Sequence, residues 1–449
     1  MHAASERYGV FTAIAMIIGI CIGSGIFFKS DNILVATDGS IFLGVVVFAL
    51  GALSIIFGSL CISQLAARTD KAGGAITYYE QFGSKRLACG FGWFQAFIYY
   101  PTITVIISWV VGIYICILFN IQASFTTQML IGIIFCTICF IYNTISPKLG
   151  GILQNAATII KLIPLFLIGI LGFIFGNPIE GLSNVPIQTF ASTAWIAAIG
   201  PIAFSYDGWI VSTSIAHEIK NSKRNMPLAL IIAPIFIFFI YVLYFVGVSS
   251  YLGPDKVMEL EDAHVAQIAT ELIGSVGAKA IIIFVTVSVM GTANGLVLGF
   301  IRLPYLLALR GNVIPFAKYL RIENKSLKMP VNSAIFAYVV SLIWVGAHAI
   351  TQINNLLPNS DVSEISIAMS YLIYGVLYYK VFDLYRQGEI KGFVKGVIAP
   401  VLAGLGTIFI LWGGMQNSLF IYYASFCVAL VGVSYIYYNI NNKPLEASE

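Results

Sequence analysis

Two short segments place glycines and polar residues in the middle of long apolar runs. Residues 18–28 read IGICIGSGIFF, and residues 200–209 read GPIAFSYDGW. Glycine is about 1 kcal/mol less favourable than alanine inside a helix, so a helix could be interrupted at either segment. An interrupted helix has two new ends, one with free N–H groups and partial positive charge, the other with free C=O groups and partial negative charge. Such paired ends complement a zwitterion such as an amino acid, which carries a carboxylate and an ammonium on one carbon.

The two interrupted segments together define a predicted amino acid site. We expect N–H groups of Gly23, Ser24 and Gly25 to bind the carboxylate. We expect carbonyls near Ile20–Cys21 and Phe204–Ser205 to bind the ammonium. The predicted substrate-binding residues are Ile20, Cys21, Ile22, Gly23, Ser24, Gly25, Phe204, Ser205, Tyr206 and Tyr241. Alternatives stay open, because the glycines could serve close helix packing, Phe204 could be a lid or ordinary lining, and Tyr241 could join two helices.

Lys161 lies near the middle of an apolar run, in the sequence TIIKLIP. A lysine at the centre of a membrane costs at least about 2.5–3.5 kcal/mol on insertion scales, so its ammonium must find acceptors. It lies about ten residues from the start of its run, or about 15 Å along a helix, which is too deep for easy snorkelling. The predicted acceptors are carbonyls freed in residues 18–28 and the side chain of Ser288 or Thr292.

Two other polar residues within apolar runs each have two interpretations. Asp207 either caps the second half of the interrupted segment or relays a proton, and Asn294 either reaches the ligand or joins two helices. The chain shows no cluster of metal ligands and no nucleophile–base pair at a shared depth. We therefore predict no metal, no cofactor and no enzymatic activity.

Membrane-spanning helices must position these residues. The chain of 449 residues is 59% hydrophobic and 10% charged, whereas soluble domains are about 45–50% apolar and about 25% charged. Because a spanning helix needs about 20 mostly apolar residues, the pattern predicts an all-α polytopic membrane protein with twelve spans. The predicted spans are 9–36, 41–66, 88–117, 128–146, 150–175, 192–217, 227–251, 275–306, 331–350, 363–382, 396–414 and 418–439. The acidic link 252–274 is expected to contain a short surface helix.

The interrupted segments occur in the first and sixth spans, and each opens a group of five. The chain is thus predicted to be one transmembrane domain, 1–449, with repeats at 9–175 and 192–382 and two further spans at 396–439. Since five is odd, the second repeat must be inverted relative to the first. Matching broken helices in two halves indicate a transporter site, because unwound backbone at membrane depth is tolerated only where it is buried or lines a cavity.

The distribution of basic residues predicts the orientation. With the N-terminus in the cytoplasm, the cytoplasmic links and termini hold 20 of the 24 lysines and arginines. Cytoplasmic loops are enriched in these residues, so we predict that both termini are cytoplasmic. The net charge of +4 is modest and lies in short loops, which does not indicate nucleic-acid binding.

Several segments resemble the amino acid–polyamine–organocation superfamily. They are residues 22–27 (IGSGIF), 73–78 (GGAITY), 161–164 (KLIP) and 205–209 (SYDGW). Within the superfamily the chain is most similar to the L-amino acid transporter branch, and it resembles bacterial serine/threonine and alanine–serine–cysteine exchangers. Residues 363–367 (SEISI) match those members too.

The resemblance implies a LeuT-like fold of five plus five inverted helices, with broken first and sixth spans. It implies sodium-independent exchange of small neutral L-amino acids by alternating access. Sodium-coupled relatives hold a cation near the position of Lys161, so a fixed ammonium there would substitute for the ion. Animal members of the branch carry a cysteine after the third span that links a heavy subunit. The corresponding loop 119–128 has none, so we expect no such partner and a bacterial cytoplasmic membrane as the location.

Two other functions are alternatives to exchange. A proton- or sodium-coupled amino acid symporter of the same fold is the main alternative, and Asp207 or Lys161 would be its titrating group. A membrane sensor is less favoured because the sequence shows no soluble signalling domain. Cationic substrates are disfavoured, because apart from Lys161 and Asp207 no charged side chain is expected to line the pocket.

Overall fold

The computed structural model describes residues 9–23, 25–69, 73–183, 187–327, 329–358 and 360–441. Over these residues the chain is helical, with one isolated β-bridge between Asn324 and Met329. The described part contains eleven helices long and apolar enough to cross a membrane, and a bent helix pair in the first run makes the twelfth. The prediction of an all-α polytopic protein with twelve spans is therefore confirmed.

The first six spans are divided more finely than the sequence predicts, because several contain breaks. Span one comprises Val10–Cys21, Gly25–Phe28 and Ser30–Ala36, and span two is Ile41–Ala66. Span three comprises Lys85–Phe94, the π-helical turn Gln95–Tyr99 and Tyr100–Leu118. Span four is Phe125–Ile145, and span five comprises Pro147–Ile160 and Leu162–Phe175. Span six comprises the 3₁₀ turn Ala194–Ala198, the α-helix Ile199–Tyr206 and the 3₁₀ helix Trp209–Glu218.

The other six spans are mostly continuous helices. Span seven is Ser222–Leu252, and span eight is the inner part of the long helix His264–Ala308, which bends at Gly274 (φ +77°). Spans nine and ten are Val331–Ile353 and Val362–Arg386. Span eleven comprises Val394–Ile398 and Ala399–Met415, and span twelve is Phe420–Asn441. The short connecting helices are Ala75–Phe82, Pro178–Ser183, Ile187–Ser192, Pro254–Leu260, Glu261–Ala263 and Ala317–Leu320, and the helix Pro254–Leu260 lies where the acidic link predicts one.

Many large apolar side chains are exposed on the outside of the bundle, while several polar side chains are buried inside it. In span four, Ile134, Ile138, Ile141 and Ile145 are each 53–60% exposed and form one stripe at helical spacing. Spans three and ten, in contrast, are largely buried and carry buried hydroxyl groups such as Thr102 on span three. This arrangement fits lipid as the surrounding solvent and places the polar residues around a central axis.

Small residues let the helices around that axis approach closely. Spans five and seven meet at Gly172 and Gly247, where a Cβ added to Gly172 would lie 2.6 Å from the Gly247 carbonyl oxygen. Close approach through small residues is how helices associate in membranes, where burial of apolar surface provides little driving force. The first span packs against spans five, six, seven and eight. The broken first helix is consequently enclosed by protein, as unwound backbone at membrane depth requires.

Candidate functional site

The first span is interrupted where its glycine-rich sequence predicts. The helix Val10–Cys21 ends at Ile22, whose N–H donates to the Ile18 carbonyl and whose ψ of 94° is extended. A second bend of 57° separates Ala13–Phe27 from Ser30–Ala36. Ser24 lies outside the described residues. The carbonyls of the last turn of Val10–Cys21 therefore point out of the helix at membrane depth.

The sixth span is interrupted beside the first. The helix Ile199–Tyr206 ends at Asp207, and Gly208 has a φ of +93°, which favours glycine. A Cβ at Gly208 would lie 2.9 Å from the Cγ2 atom of Ile20, and one at Gly25 would lie 2.6 Å from the Cα atom of Ser205. Each break thus fits closely against the other, and both depend on glycine for that approach.

Tyr241 on span seven joins the two interrupted helices. Its hydroxyl lies 3.0 Å from the Cys21 carbonyl oxygen and 2.8 Å from the Ser205 carbonyl oxygen, and its single proton is shared between these two acceptors. These are the carbonyls predicted to bind the substrate ammonium. Since a carbonyl oxygen has two lone pairs, each retains capacity for a second donor. Tyr241 therefore links the two interrupted helices through carbonyls of the predicted ammonium site.

A narrow cavity lies between the two breaks. It has about 20 Å³ of space for the centre of a water-sized group, so the residues around it lie close together. The lining residues are Ile20, Cys21, Gly23, Gly25, Ile103, Ile107, Phe204, Asp207, Gly208, Thr292, Leu296 and Ile367. Seven of the residues singled out from the sequence are in that set, so the structure gathers them in one place.

Other predicted site residues lie behind the cavity wall. Ile22 is fully buried, and the Ser205 hydroxyl donates to the Pro201 carbonyl within its own helix. Tyr206 points toward span two, where its hydroxyl donates to the Phe48 carbonyl. These residues shape the wall rather than forming its surface.

Lys161 is completely buried next to the first break. It lies at the junction of Pro147–Ile160 and Leu162–Phe175, where Pro164 cannot donate to the carbonyl one turn earlier. Its Nζ donates to the Gly19 carbonyl at 2.5 Å and to the Thr292 hydroxyl at 3.3 Å. The predicted choice between Thr292 and Ser288 thus falls on Thr292. The Ser288 carbonyl accepts from the Thr292 hydroxyl at 3.2 Å, so Ser288 contributes through its backbone.

Asp207 and Asn294 have different surroundings. The Asp207 carboxylate accepts a 2.6 Å hydrogen bond from the Tyr99 hydroxyl, and Tyr99 lies in the π-helical turn of span three. Asp207 also lines the cavity. Asn294, in contrast, is held outside the cavity by Tyr142, Asn143 and the Gly150 carbonyl, at 2.7–2.9 Å. Its geometry corresponds to the helix–helix interpretation.

Comparisons with known proteins agree with this arrangement. The sequence profile described as "Amino acid permease" matches residues 8–439. The chain belongs to the amino acid permease family. It is 29% identical to the serine/threonine exchanger SteT of Bacillus subtilis over 98% of both chains. It is 25% identical to the b(0,+)-type amino acid transporter 1 of Mus musculus, over 93% of this chain and 88% of the relative. It is 24% identical to the cystine/glutamate transporter of Homo sapiens, over 98% of this chain and 86% of that relative.

The family resemblance predicted from the sequence is thereby confirmed, and the permease is a multi-pass membrane protein of amino acid transport. This fits the geometry, because two broken helices enclosing a small cavity form an arrangement that transporters use at the bilayer midplane. The relatives are transporters and exchangers rather than enzymes.

One charged cluster of the permease was not predicted. Lys29, at the bend of the first span, lies 2.8 Å from an Asp361 oxygen and 2.6 Å from a Glu364 oxygen, and all three side chains are buried. Its Nζ also lies 5.2 Å from the centroid of the Phe204 ring. The sequence held one usable signal: Lys29 is a basic residue on the side where few basic residues occur, and two acidic residues begin span ten.

Proposed function

We propose that this permease exchanges small neutral L-amino acids across the membrane without sodium. The observation that carries the proposal is the buried Lys161 ammonium, which donates to the Gly19 carbonyl beside the first break and to Thr292. A fixed cation at this place supplies the positive charge that a bound sodium ion would supply in a coupled transporter. Transport then needs no ion that must be carried with the substrate.

The cavity supports an amino acid as the ligand. Helix ends at Cys21, Gly25 and Tyr206 lie beside it and carry backbone groups of both polarities. We propose that N–H groups at residues 23–25 bind the carboxylate, while the carbonyls of Cys21 and Ser205 bind the ammonium. The apolar lining by Ile103, Ile107 and Ile367 leaves a small volume for the side chain, which favours small neutral substrates.

Obligatory exchange is supported by the same cation. When the substrate leaves, the positive charge of Lys161 stays in place, so the empty protein keeps a buried charge near two open helix ends. We infer that the helices return most readily with another amino acid bound. The Bacillus subtilis relative is a serine/threonine exchanger, which is consistent with this inference.

A wider substrate range is the second candidate, and Asp207 favours it. The sequence disfavours cationic amino acids because few carboxylates were expected in the pocket, yet the Asp207 carboxylate lines the cavity. An anionic group there would attract a substrate with a second ammonium or a guanidinium. Asp207→Asn tests this candidate: inhibition by lysine or arginine should disappear while alanine exchange remains. Equal inhibition before and after the substitution would remove the candidate.

The location and membrane topology of the protein are also proposals. We propose a bacterial cytoplasmic membrane, with both termini in the cytoplasm and 9–175 and 192–382 acting as inverted repeats. The described cysteines are all buried, Cys116 near the end of span three among them. That burial supports function without a disulfide-linked heavy subunit.

Uptake into proteoliposomes tests the proposal. Labelled alanine or serine is offered to vesicles loaded with unlabelled amino acid and to empty vesicles, both without sodium or a pH gradient. We expect uptake only into loaded vesicles. Comparable uptake into empty vesicles would mean facilitated uniport and would overturn exchange. Uptake that begins only when sodium or a proton gradient is added would replace the proposal with a coupled symporter.

A further inference from the structure

A groove between spans four and nine opens toward the surrounding lipid. Among its lining residues, Phe140 and Ala334 are each 4% exposed and form the floor, whereas Ile141, Ile145 and Ile335 are 53–58% exposed and form the two sides. The groove has about 310 Å³ of space for the centre of a water-sized group, against about 20 Å³ in the substrate cavity. It is therefore an open, apolar space rather than a seam between two packed helices.

The groove runs from the membrane surface into the membrane. Its inner end is closed by the hydroxyls of Thr137 and Tyr338, which are 2.8 Å apart, and by the edge contact of Tyr338 with Phe140. At its other end lie Ile145, the last residue of span four, and Val331, the first residue of span nine. The distance from Val331 to Tyr338 along a helix is about 10 Å. Because one leaflet contributes about 15 Å of hydrocarbon, the groove follows roughly two thirds of one leaflet and ends inside it.

The link between spans eight and nine has the composition of a segment at a membrane surface. Phe316, Tyr319 and Ile322 are 52–67% exposed and occur three residues apart, a spacing that places side chains on one face of a helical turn. Exposed aromatic and apolar residues among basic ones are typical of the boundary between hydrocarbon and headgroups. The Asn332 side chain donates to the Tyr319 carbonyl at 3.0 Å, which fixes this link to the start of span nine.

A tight turn in the same link places basic residues at the surface end of the groove. The Oδ1 atom of Asn324 accepts from the backbone N–H groups of Ser326 and Leu327, both at 3.0 Å. Leu327 lines the groove. Lys325 lies within this turn and Arg321 shortly before it, and both are exposed. Their charges are therefore close to the point where a lipid headgroup would lie if its acyl chain entered the groove.

The charge of this link favours an anionic headgroup. Residues 318–328 contain four basic residues and one acidic residue. The acidic residue, Glu323, lies 3.5 Å from the Tyr305 hydroxyl. Arg321 and Lys325 form no ion pair within the described residues. Basic residues beside a membrane surface attract anionic lipids, so both remain available for a phosphate.

We propose that this groove binds one anionic phospholipid, with an acyl chain between spans four and nine and its phosphate at Arg321 and Lys325. Four spans return the chain to the side of the N-terminus, so the lipid belongs to the leaflet on that side. The two cations neutralise the phosphate, while the acyl chain covers the floor of the groove. The inference does not depend on the proposed exchange, because a lipid can bind whether or not an amino acid is exchanged.

Photo-crosslinking identifies the bound lipid. The purified permease is reconstituted into phosphatidylcholine vesicles that contain a trace of phosphatidylglycerol or phosphatidylcholine, each with the same photoactivatable group near the middle of one acyl chain. After illumination, peptide mass spectrometry measures the labelled fraction of residues 137–145 and 331–338. We expect phosphatidylglycerol to label these segments about tenfold more than phosphatidylcholine, because two basic residues contribute to its binding.

Two tryptophan substitutions at equally exposed positions test whether the groove holds the acyl chain. Ile141 lines the groove and Ile138, about one turn earlier on span four, does not, and both are 53% exposed. Ile141→Trp fills the groove and should lower phosphatidylglycerol labelling about fivefold, because the chain loses its apolar contacts, whereas Ile138→Trp should leave it unchanged. Ile335→Trp, on the opposite side of the groove, should act like Ile141→Trp, so the result does not depend on the folding of one variant.

A charge substitution tests the headgroup site separately. Arg321→Gln combined with Lys325→Gln should reduce the preference for phosphatidylglycerol to about twofold or less, while labelling by phosphatidylcholine stays unchanged. Lys391→Gln combined with Lys395→Gln is the matched control. Both of these lysines are exposed around the start of span eleven, on the same side of the membrane. This control should keep the full preference.

Three results would overturn the proposal. Equal labelling of the wild type by the two lipids would mean that the groove takes only ordinary boundary lipid. An equal loss in Ile138→Trp and Ile141→Trp would mean that the labelled chain does not lie in the groove. A dimer in lipid-free detergent that light scattering detects and Ile141→Trp abolishes would mean that a second copy of the permease covers the groove.

Discussion

The two buried lysines near the first span have opposite surroundings. Lys161 donates to neutral groups, the Gly19 carbonyl and the Thr292 hydroxyl. Lys29 contacts two carboxylates on span ten. A cation held by neutral dipoles can stay in place through a transport cycle, since its acceptors belong to the site itself. A cation that pairs with carboxylates on another helix loses those pairs whenever the two helices move apart. The same residue type is thus held by neutral dipoles in one region and by two full charges in the other.

The largest expected effect comes from removing the Lys161 ammonium. Lys161→Met leaves the Gly19 carbonyl and Thr292 without their donor, at a cost of about 1–3 kcal/mol, so exchange should fall roughly 10- to 100-fold. Exchange in loaded proteoliposomes measures this. Lys279→Met, which replaces an exposed lysine near the N-terminal end of span eight, should keep wild-type exchange.

Arginine substitutions give the next largest difference. The guanidinium forms two parallel hydrogen bonds to carboxylates, so Lys29→Arg can keep contacts with Asp361 and Glu364 and should retain exchange within about threefold of wild type. Lys161→Arg places the larger group between Gly19 and Thr292, without a carboxylate, and should lose about tenfold or more. The two variants are compared by exchange rate at equal amounts of folded protein. Equal losses would show that the two sites do not differ in the way their partners suggest.

Sequence predicted the elements of this site better than their connections. The breaks follow from glycine and polar residues inside apolar runs, and the depth of Lys161 follows from its distance to the end of a run. The partners of Lys29 are more than 330 positions away in the chain, and a lysine near the end of a span has an ordinary explanation. The pairing of Tyr99 with Asp207 depends on a π-helical turn whose register no pattern in span three indicates.

The choice between Ser288 and Thr292 shows a second limit. The two residues are four apart on one helix, so they lie on the same face about one turn, or about 5.4 Å, from each other. Only the depth at which span five meets span eight decides which hydroxyl reaches Lys161. That depth is fixed by packing of small residues, such as Gly291 against Ala157, which a hydrophobic pattern does not record.

Thr292 is expected to matter less than the lysine that it binds. Thr292→Val removes one acceptor of the Lys161 ammonium but keeps the shape of the side chain, so exchange should fall roughly five- to tenfold, in keeping with about 1 kcal/mol for one hydrogen bond. Thr292→Ser retains the hydroxyl and should stay within about twofold of wild type. Steady-state exchange with serine as substrate measures both. If valine and serine have the same effect, Thr292 acts through packing rather than through its bond to Lys161.

The smallest expected effect concerns Tyr241, which links the two interrupted helices. Tyr244 on the same helix provides a matched control. Tyr241 donates to carbonyls of both interrupted helices, whereas the Tyr244 hydroxyl, three residues later on span seven, is buried with no hydrogen-bond partner in the part of the chain that the structure describes. Tyr241→Phe should lower exchange about threefold, because the bond is lost but the two carbonyls gain capacity for the substrate ammonium. Tyr244→Phe removes an unpaired group and should leave exchange unchanged while raising thermal stability slightly. If both variants behave alike, the two breaks are held together by the close approach of Gly25 and Gly208 alone, and Tyr241 belongs to the wall of the site rather than to its mechanism.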